Sequence, residues 1–147
     1  MREIKFRGKS IDGEWVYGGI AVTHNGAYIF DNALPYDNAN PVIPETVGQY
    51  TGLHDKNGVE IYEGDVVQAV SKVVTLRGVD TGGSCRQVYE VVWNDGCWSK
   101  IKTYDSLLSS QDVIKTTPTK IYPDLAAKFY EVIGTIHDKA GERDERN

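Results

Sequence analysis

The side chains in this sequence best suited to proton transfer or nucleophilic attack are three imidazoles, His24, His54 and His137, and two thiols, Cys85 and Cys97. A catalytic constellation needs a nucleophile, a base and a group that orients the base. Each His falls near an expected hairpin or strand end, and no nucleophile elbow, phosphate-binding loop or metalloprotease helix accompanies them. The two thiols match no zinc or redox spacing and read as packing or surface groups. A nucleophilic Cys85 or Cys97 served by a distant His is the catalytic arrangement that the residues leave open. No catalytic residue is assigned, and the chain is read as leaning away from an enzyme.

A second cluster, Asp55, Asn57, Glu60, Glu63 and Asp65 beside His54, offers oxygen and nitrogen ligands for a divalent cation. The calcium-loop template puts Gly sixth and a bidentate acid twelfth, whereas Gly58 is fourth counting from Asp55. The cluster therefore reads as Asx-turn chemistry and solvated charge. Neither a metal nor a cofactor is expected.

A third set could bind single-stranded nucleic acid, with bases stacking on aromatic rings beside a basic groove. Tyr89, Trp93, Trp98 and Tyr104 occur near Arg86, Lys100 and Lys102 on strands expected to be neighbours, which makes Arg86, Tyr89, Lys100, Lys102 and Tyr104 the candidate contacts. The opposing reading puts Trp93 and Trp98 in the core and the lysines in water. A net charge of -5 favours that reading, since the long-range field repels a polyanion. The acidity is also evenly spread: residues 1–78 hold seven Lys/Arg against ten Asp/Glu, and residues 79–147 nine against eleven.

The elements that must position these groups are strands. Arg2–Lys9 alternates Ile4 and Phe6 with charged residues, the period-two pattern of a half-buried strand. Trp15–Tyr17 resumes that chemistry until Gly18-Gly19 breaks or bulges it. Ala21–His24 and Ala27–Phe30 flank Asn25-Gly26, a dipeptide suited to a two-residue turn. From Asp31 to Pro44 the composition turns to Asn, Asp and Pro, which predicts a loop without a ladder and a boundary at residue 44. Leu53 and Val59–Tyr62 form the arms of a tight hairpin around Asp55–Gly58, with Gly58 left-handed.

Further along, Val66–Leu76 is a long strand, Gly78–Ser84 a polar loop, and Arg86–Trp93 and Cys97–Tyr104 a hairpin around Asn94-Asp95-Gly96. Asp105–Gln111 supports one helical turn, Pro123–Lys128 a short helix, and Phe129–His137 a last strand. Strands at hairpin spacing with little helix between them predict a meander or small barrel. The resulting division is an N-terminal β-hairpin region over 1–44, a small β-barrel domain over 45–138 and a charged tail over 139–147.

At 147 residues, 40% hydrophobic and 25% charged, the chain can bury a core of its own. Two isolated thiols and the lack of any apolar run of signal or membrane length point to a cytoplasmic protein with no membrane contact.

The run Gln49–Leu53, Asp55–Gly58 and Ile61–Asp65, with the opening Arg2–Arg7 and closing Glu131–Gly134, resembles the YopX family of phage and prophage proteins. The resemblance implies a mostly β fold with a small Src-homology-3-like barrel in its later half, a mobile-element origin in a bacterial host and a plausible homo-oligomer. It supplies no catalytic or ligand residues, and Gly78–Arg86 looks like a variable insertion within it. The leading expectation is a non-enzymatic binding or assembly module with a protein partner or self-association, and the alternative is a nucleic-acid-binding small barrel.

Overall fold

The computed structural model describes residues 3–30, 39–108, 110 and 117–138. The chain is mostly β, as its composition predicts, and its strands form two antiparallel sheets. The first sheet contains β1 (Phe6–Lys9), β2 (Trp15–Thr23), β3 (Gly26–Phe30), β4 (Ala39–Val42), β5 (Gly48–His54) and β6 (Glu60–Tyr62), in the order β4-β3-β2-β1-β5-β6. The second contains β7 (Asp65–Val74), β8 (Asp80–Asn94), β9 (Cys97–Asp105), β10 (Thr119–Lys120) and β11 (Tyr130–Thr135), in the order β10-β9-β8-β7-β11. Among the described residues a 3-10 turn spans Pro44–Thr46, and one α-helix, α1 (Pro123–Phe129), precedes β11. Its start is set by Pro123, whose missing N–H costs nothing in the first turn.

Neither sheet closes into a barrel. The outer strands of the second sheet, β10 and β11, do not pair, and β10 is only two residues long. The first sheet draws β1 from one side of residue 44 and β5 from the other, joined through Phe6 opposite Gln49.

Two cores follow from the alternation of side chains across the pleat. Ala27, Ile29 and Val42 pack with Phe6, Val16, Ile20 and Val47 inside the first sheet. Ile61, Val67, Ala69, Val91, Ile121, Ala126 and Tyr130 form the second, with Leu53, Tyr89 and Val132 against them. Leu53 and Ile61 belong to the β5–β6 hairpin, so part of the first sheet is packed into the second core.

Several local expectations need correction. Residues 39–42 pair with β3, although a loop without a ladder is predicted there. Pro41 is tolerated because β4 is an edge strand and needs no donor on its outer side. The turn between β2 and β3 falls on His24 and Asn25, one residue earlier than the Asn25-Gly26 pair suggests. There Thr23 Oγ1 accepts the Asn25 N–H at 3.1 Å, which favours the earlier register. Gly18-Gly19 does not interrupt β2; at that point the strand changes partner, from β1 at Gly18 to β3 at Gly19.

The expected loop over Gly78–Ser84 is largely strand, because β8 begins at Asp80 and the turn occupies the residues just before it. By contrast, Asp95 (φ 54°) and Gly96 (φ 80°) form the expected two-residue turn with both central residues left-handed. The charged tail over 139–147, the loop residues 31–38 and the end of the Asp105–Gln111 turn lie outside the described residues.

Candidate functional site

The densest polar chemistry sits where the two sheets meet. Arg7 on β1 and Asp65 at the start of β7 are both buried, and Arg7 Nη2 donates to Asp65 Oδ1 at 2.6 Å. Asp65 Oδ2 accepts the Tyr62 N–H at 2.7 Å, so both oxygens are occupied. The guanidinium is sandwiched between the rings of Trp15 and Tyr62, at 4.4 and 4.8 Å from their centroids. Burial pushes the Asp65 carboxyl up from its ordinary range, and Arg7 and the Tyr62 amide pull it back. Arg7 Nε has no hydrogen-bond partner among the described residues. The pair ties β1 to the start of β7 across 58 positions of sequence.

Asp55 performs a similar task at the other end of the junction. Its Oδ1 accepts the N–H groups of Asn57 and Val59 at 2.8 and 2.9 Å, closing the Asx turn in which Gly58 takes φ +81°. Its Oδ2 reaches across to the Val132 N–H at 2.9 Å. The Lys56 N–H donates to the Tyr130 carbonyl beside it. The turn thus covers the outer edge of β11, where unpaired backbone groups would otherwise be open to another strand.

The acidic cluster therefore divides into structural parts. Asp55 is the turn residue the sequence suggests. Asp65 is not a solvated charge but a fully buried one, and Glu60 pairs with Lys5 at 2.8 Å. Among the described residues, no group of three or more His, Cys, Asp and Glu could hold a metal ion. His54 stands exposed beside Tyr50, and Cys85 and Cys97 are both free.

His137 packs near Trp15, with ring centroids 6.2 Å apart. Its pKa is lowered from 6.5, first by burial and then by the positive charges of Arg7 and Lys9. Because the folded state resists protonation, stability contributed by neutral His137 is present above pH 6.5 and is lost as pH falls through the ordinary value toward the depressed one. Thermal melts should therefore show the wild type losing stability from pH 7.5 to 5.5 more steeply than His137→Gln. Parallel profiles would show that His137 is not the group responsible.

The five candidate nucleic-acid contacts do not share one surface. Strand pairing puts Tyr89 opposite Lys102 and Val91 opposite Lys100, on the side that faces the second core. Lys100 Nζ donates to the Tyr130 hydroxyl and lies over the rings of Tyr89 and Tyr130 at 4.7 and 4.9 Å. Burial lowers its pKa. Lys102 is paired with Asp105 at 2.9 Å, and that hydrogen bond raises its pKa.

Arg86 and Tyr104 occupy the opposite face, with the guanidinium 5.5 Å from the ring and Arg86 Nε donating to Gln68 Oε1 at 2.6 Å. Of the two tryptophans, Trp98 is buried and Trp93 half-exposed, in edge contact at 4.8 Å.

Arg86 and Tyr104 line a groove of about 600 Å³ on that outer face, together with Val66, Val88, Glu90, Thr103, Ile133, Thr135 and Ile136. Ile133 and Ile136 are each more than 40% exposed there. Sequence reading missed this groove because the outward residues of β7, β8 and β11 become neighbours only through the order of the sheet. The signal available was that Val66 and Val88 sit at positions where a one-sided sheet would carry polar side chains.

No match to this chain was found among curated proteins. A solved structure, the protein EF1440 from Enterococcus faecalis, is 21% identical, covers 95% of this chain and 97% of that chain, and has a TM-score of 0.45. The family model described as YopX protein matches residues 5–141. That span takes in the Arg7 strand, the whole Gln49–Asp65 run and β11, and the chain belongs to the YopX family.

Proposed function

We propose that this chain is a non-enzymatic binding or assembly module, encoded by a phage or prophage and acting on a protein partner in the bacterial cytoplasm. The observation that carries this reading is the outer groove of the second sheet. Val66, Val88, Ile133 and Ile136 give it apolar walls, while Arg86 and Glu90 supply charge of both signs. An apolar recess bordered by a few placed polar groups is the surface expected of a protein interface. The acidic residues around the hallmark run support the same reading, since Asp55 and Asp65 are spent on holding the sheets together.

Immobilised wild type and an Ile133→Glu/Ile136→Glu variant, tested for the partners they retain, check the proposal. Both positions are partly exposed, so the fold should persist, and two buried charges should weaken retention at least ~10-fold. Equal retention by the two proteins would remove the groove from consideration. The second reading, nucleic-acid binding, keeps support from the Arg86–Tyr104 contact. Gel shifts with single- and double-stranded probes across a salt series separate the two, since a phosphate-binding surface must shift most strongly at low salt.

A further inference from the structure

Away from the outer groove, a cavity of about 380 Å³ opens where three separated stretches of chain meet: the turn joining β1 to β2, the 3-10 turn with the residue before it, and His137 beyond the end of β11. Its walls are tied to one another by backbone bonds. The Ile43 N–H donates to the Lys9 carbonyl at 2.8 Å, and Thr46 Oγ1 accepts the Lys9 N–H at 2.8 Å while donating to the Ile43 carbonyl at 2.6 Å. In the β1–β2 turn the Ser10 N–H donates to the Glu14 carbonyl at 2.8 Å. Ser10 Oγ accepts the Glu14 N–H at 3.3 Å, which leaves its own proton free to donate to something else. A preformed recess of this size is within the range of small-molecule pockets.

The lining is sorted by depth. Lys9, Ser10 and His137 are half-buried, whereas Ile11 is 81% and Ile43 37% exposed, so hydrogen-bond donors lie inside and apolar side chains at the mouth. Lys9 and His137 flank one ring: Lys9 Nζ is 5.8 Å from the centroid of Trp15, and the His137 and Trp15 centroids are 6.2 Å apart. Among the described residues Lys9 has no ion pair, and neither ring nitrogen of His137 has a hydrogen-bond partner. The neighbouring Arg7 is already neutralised by Asp65. Glu45 stands on the exposed rim and does not pair with Lys9, although both line the cavity.

We propose that this cavity binds an organic acid head first, with one carboxylate received by Lys9, His137 and the Ser10 hydroxyl and an apolar body held between Ile11 and Ile43. The inference does not draw on the outer groove. One cation left without a partner inside, with a carboxylate on the rim, matches a monoanion and is too little charge for a phosphate dianion. The charges acting on His137 agree. Burial, then the positive charges of Arg7 and Lys9 on β1, keep its ring neutral, while Asp138 acts the other way. A bound carboxylate supplies the negative charge that this corner lacks, so it favours the imidazolium and binds more tightly as pH falls. Such a carboxylate comes from a free small acid or from the C-terminal residue of another polypeptide.

The test is a nuclear magnetic resonance titration of the full chain with hexanoate, hexanamide, inorganic phosphate, and acetyl-Gly-Gly-Leu as its free acid and as its amide. Hexanoate should bind at least ~10-fold more tightly than hexanamide, because the amide gives Lys9 no counter-charge. Its shifts should concentrate at residues 9–13, 43–46 and 137, and the His137 ring should titrate at higher pH with hexanoate than without it. Lys9→Gln, which keeps the length of the side chain's root on β1, should weaken hexanoate at least ~10-fold and leave hexanamide unchanged. Ile11→Ser changes a residue that is 81% exposed, so the fold is retained, and should weaken hexanoate at least ~3-fold.

Tighter binding of the peptide acid than of hexanoate, lost in the peptide amide, supports the site and makes a chain end its source. Hexanoate binding at least as tightly as the peptide acid supports the site and makes a free acid its source. Equal affinity for hexanoate and hexanamide overturns the proposal, as does an absence of binding by every probe. So do preference for phosphate, shifts centred elsewhere, or hexanoate affinity unchanged in Lys9→Gln.

Discussion

Replacing Asp65 by Ala should lower the unfolding free energy by about 3–5 kcal/mol, the range for removing one member of a buried ion pair. The variant leaves the Arg7 guanidinium charged between Trp15 and Tyr62 with no carboxylate, and it strands the Tyr62 N–H. Urea unfolding of the wild type, Asp65→Ala, Arg7→Met and the double variant Arg7→Met/Asp65→Ala measures this as a double-mutant cycle. The double variant should be more stable than Asp65→Ala, because no unpaired charge remains buried. A loss below about 1 kcal/mol in Asp65→Ala would show that the pair is not a principal tie between the sheets.

The second large effect is expected at Asp55. Asp55→Ala removes the acceptor for three backbone N–H groups, those of Asn57, Val59 and Val132. Charge-assisted bonds contribute about 1.5–3 kcal/mol each, but Asn57 and Val59 are exposed and can turn to water, so a net loss of about 3 kcal/mol is expected. The location of the damage distinguishes this variant from Asp65→Ala. Hydrogen exchange should quicken in β11 and in the 55–59 turn while β2 and β3 stay protected. Uniform loss of protection across both sheets would mean that Asp55 acts on global stability and not on the docking of that turn.

These two carboxylates also show how far sequence reasoning reaches. Asp55 was legible because an Asx turn is local: Asp55, Asn57 and Gly58 carry their own instructions within four residues. The hairpins around Asp95-Gly96 and around residues 55–58, and the short helix after Tyr122, were legible for the same reason. Asp65 was not, since its meaning depends on Arg7, 58 residues earlier, and nothing near either residue specifies the pairing.

The outer groove was hidden likewise, and so was the division of Tyr89, Lys100 and Lys102 from Arg86 and Tyr104. Alternation sets which side of its own strand a residue takes. Only the ladder Tyr89–Lys102 and the irregularity between Val88 and Tyr89 decide which side that is in the sheet. The barrel expectation failed at the same level, because strand count does not determine whether outer strands meet.

The place of β1 has a consequence for synthesis. β1 precedes the other described strands along the chain, yet it sits between β2 and β5, and its Arg7 is paired with a residue at the start of the second sheet. At about 5–20 residues per second, the 58 residues separating Arg7 from Asp65 take several seconds to add. During that interval the β2–β3–β4 meander can form from local contacts, while the far edge of β1 and its guanidinium wait unpaired. The nascent chain therefore carries a temporary open edge next to a cation that the folded chain buries.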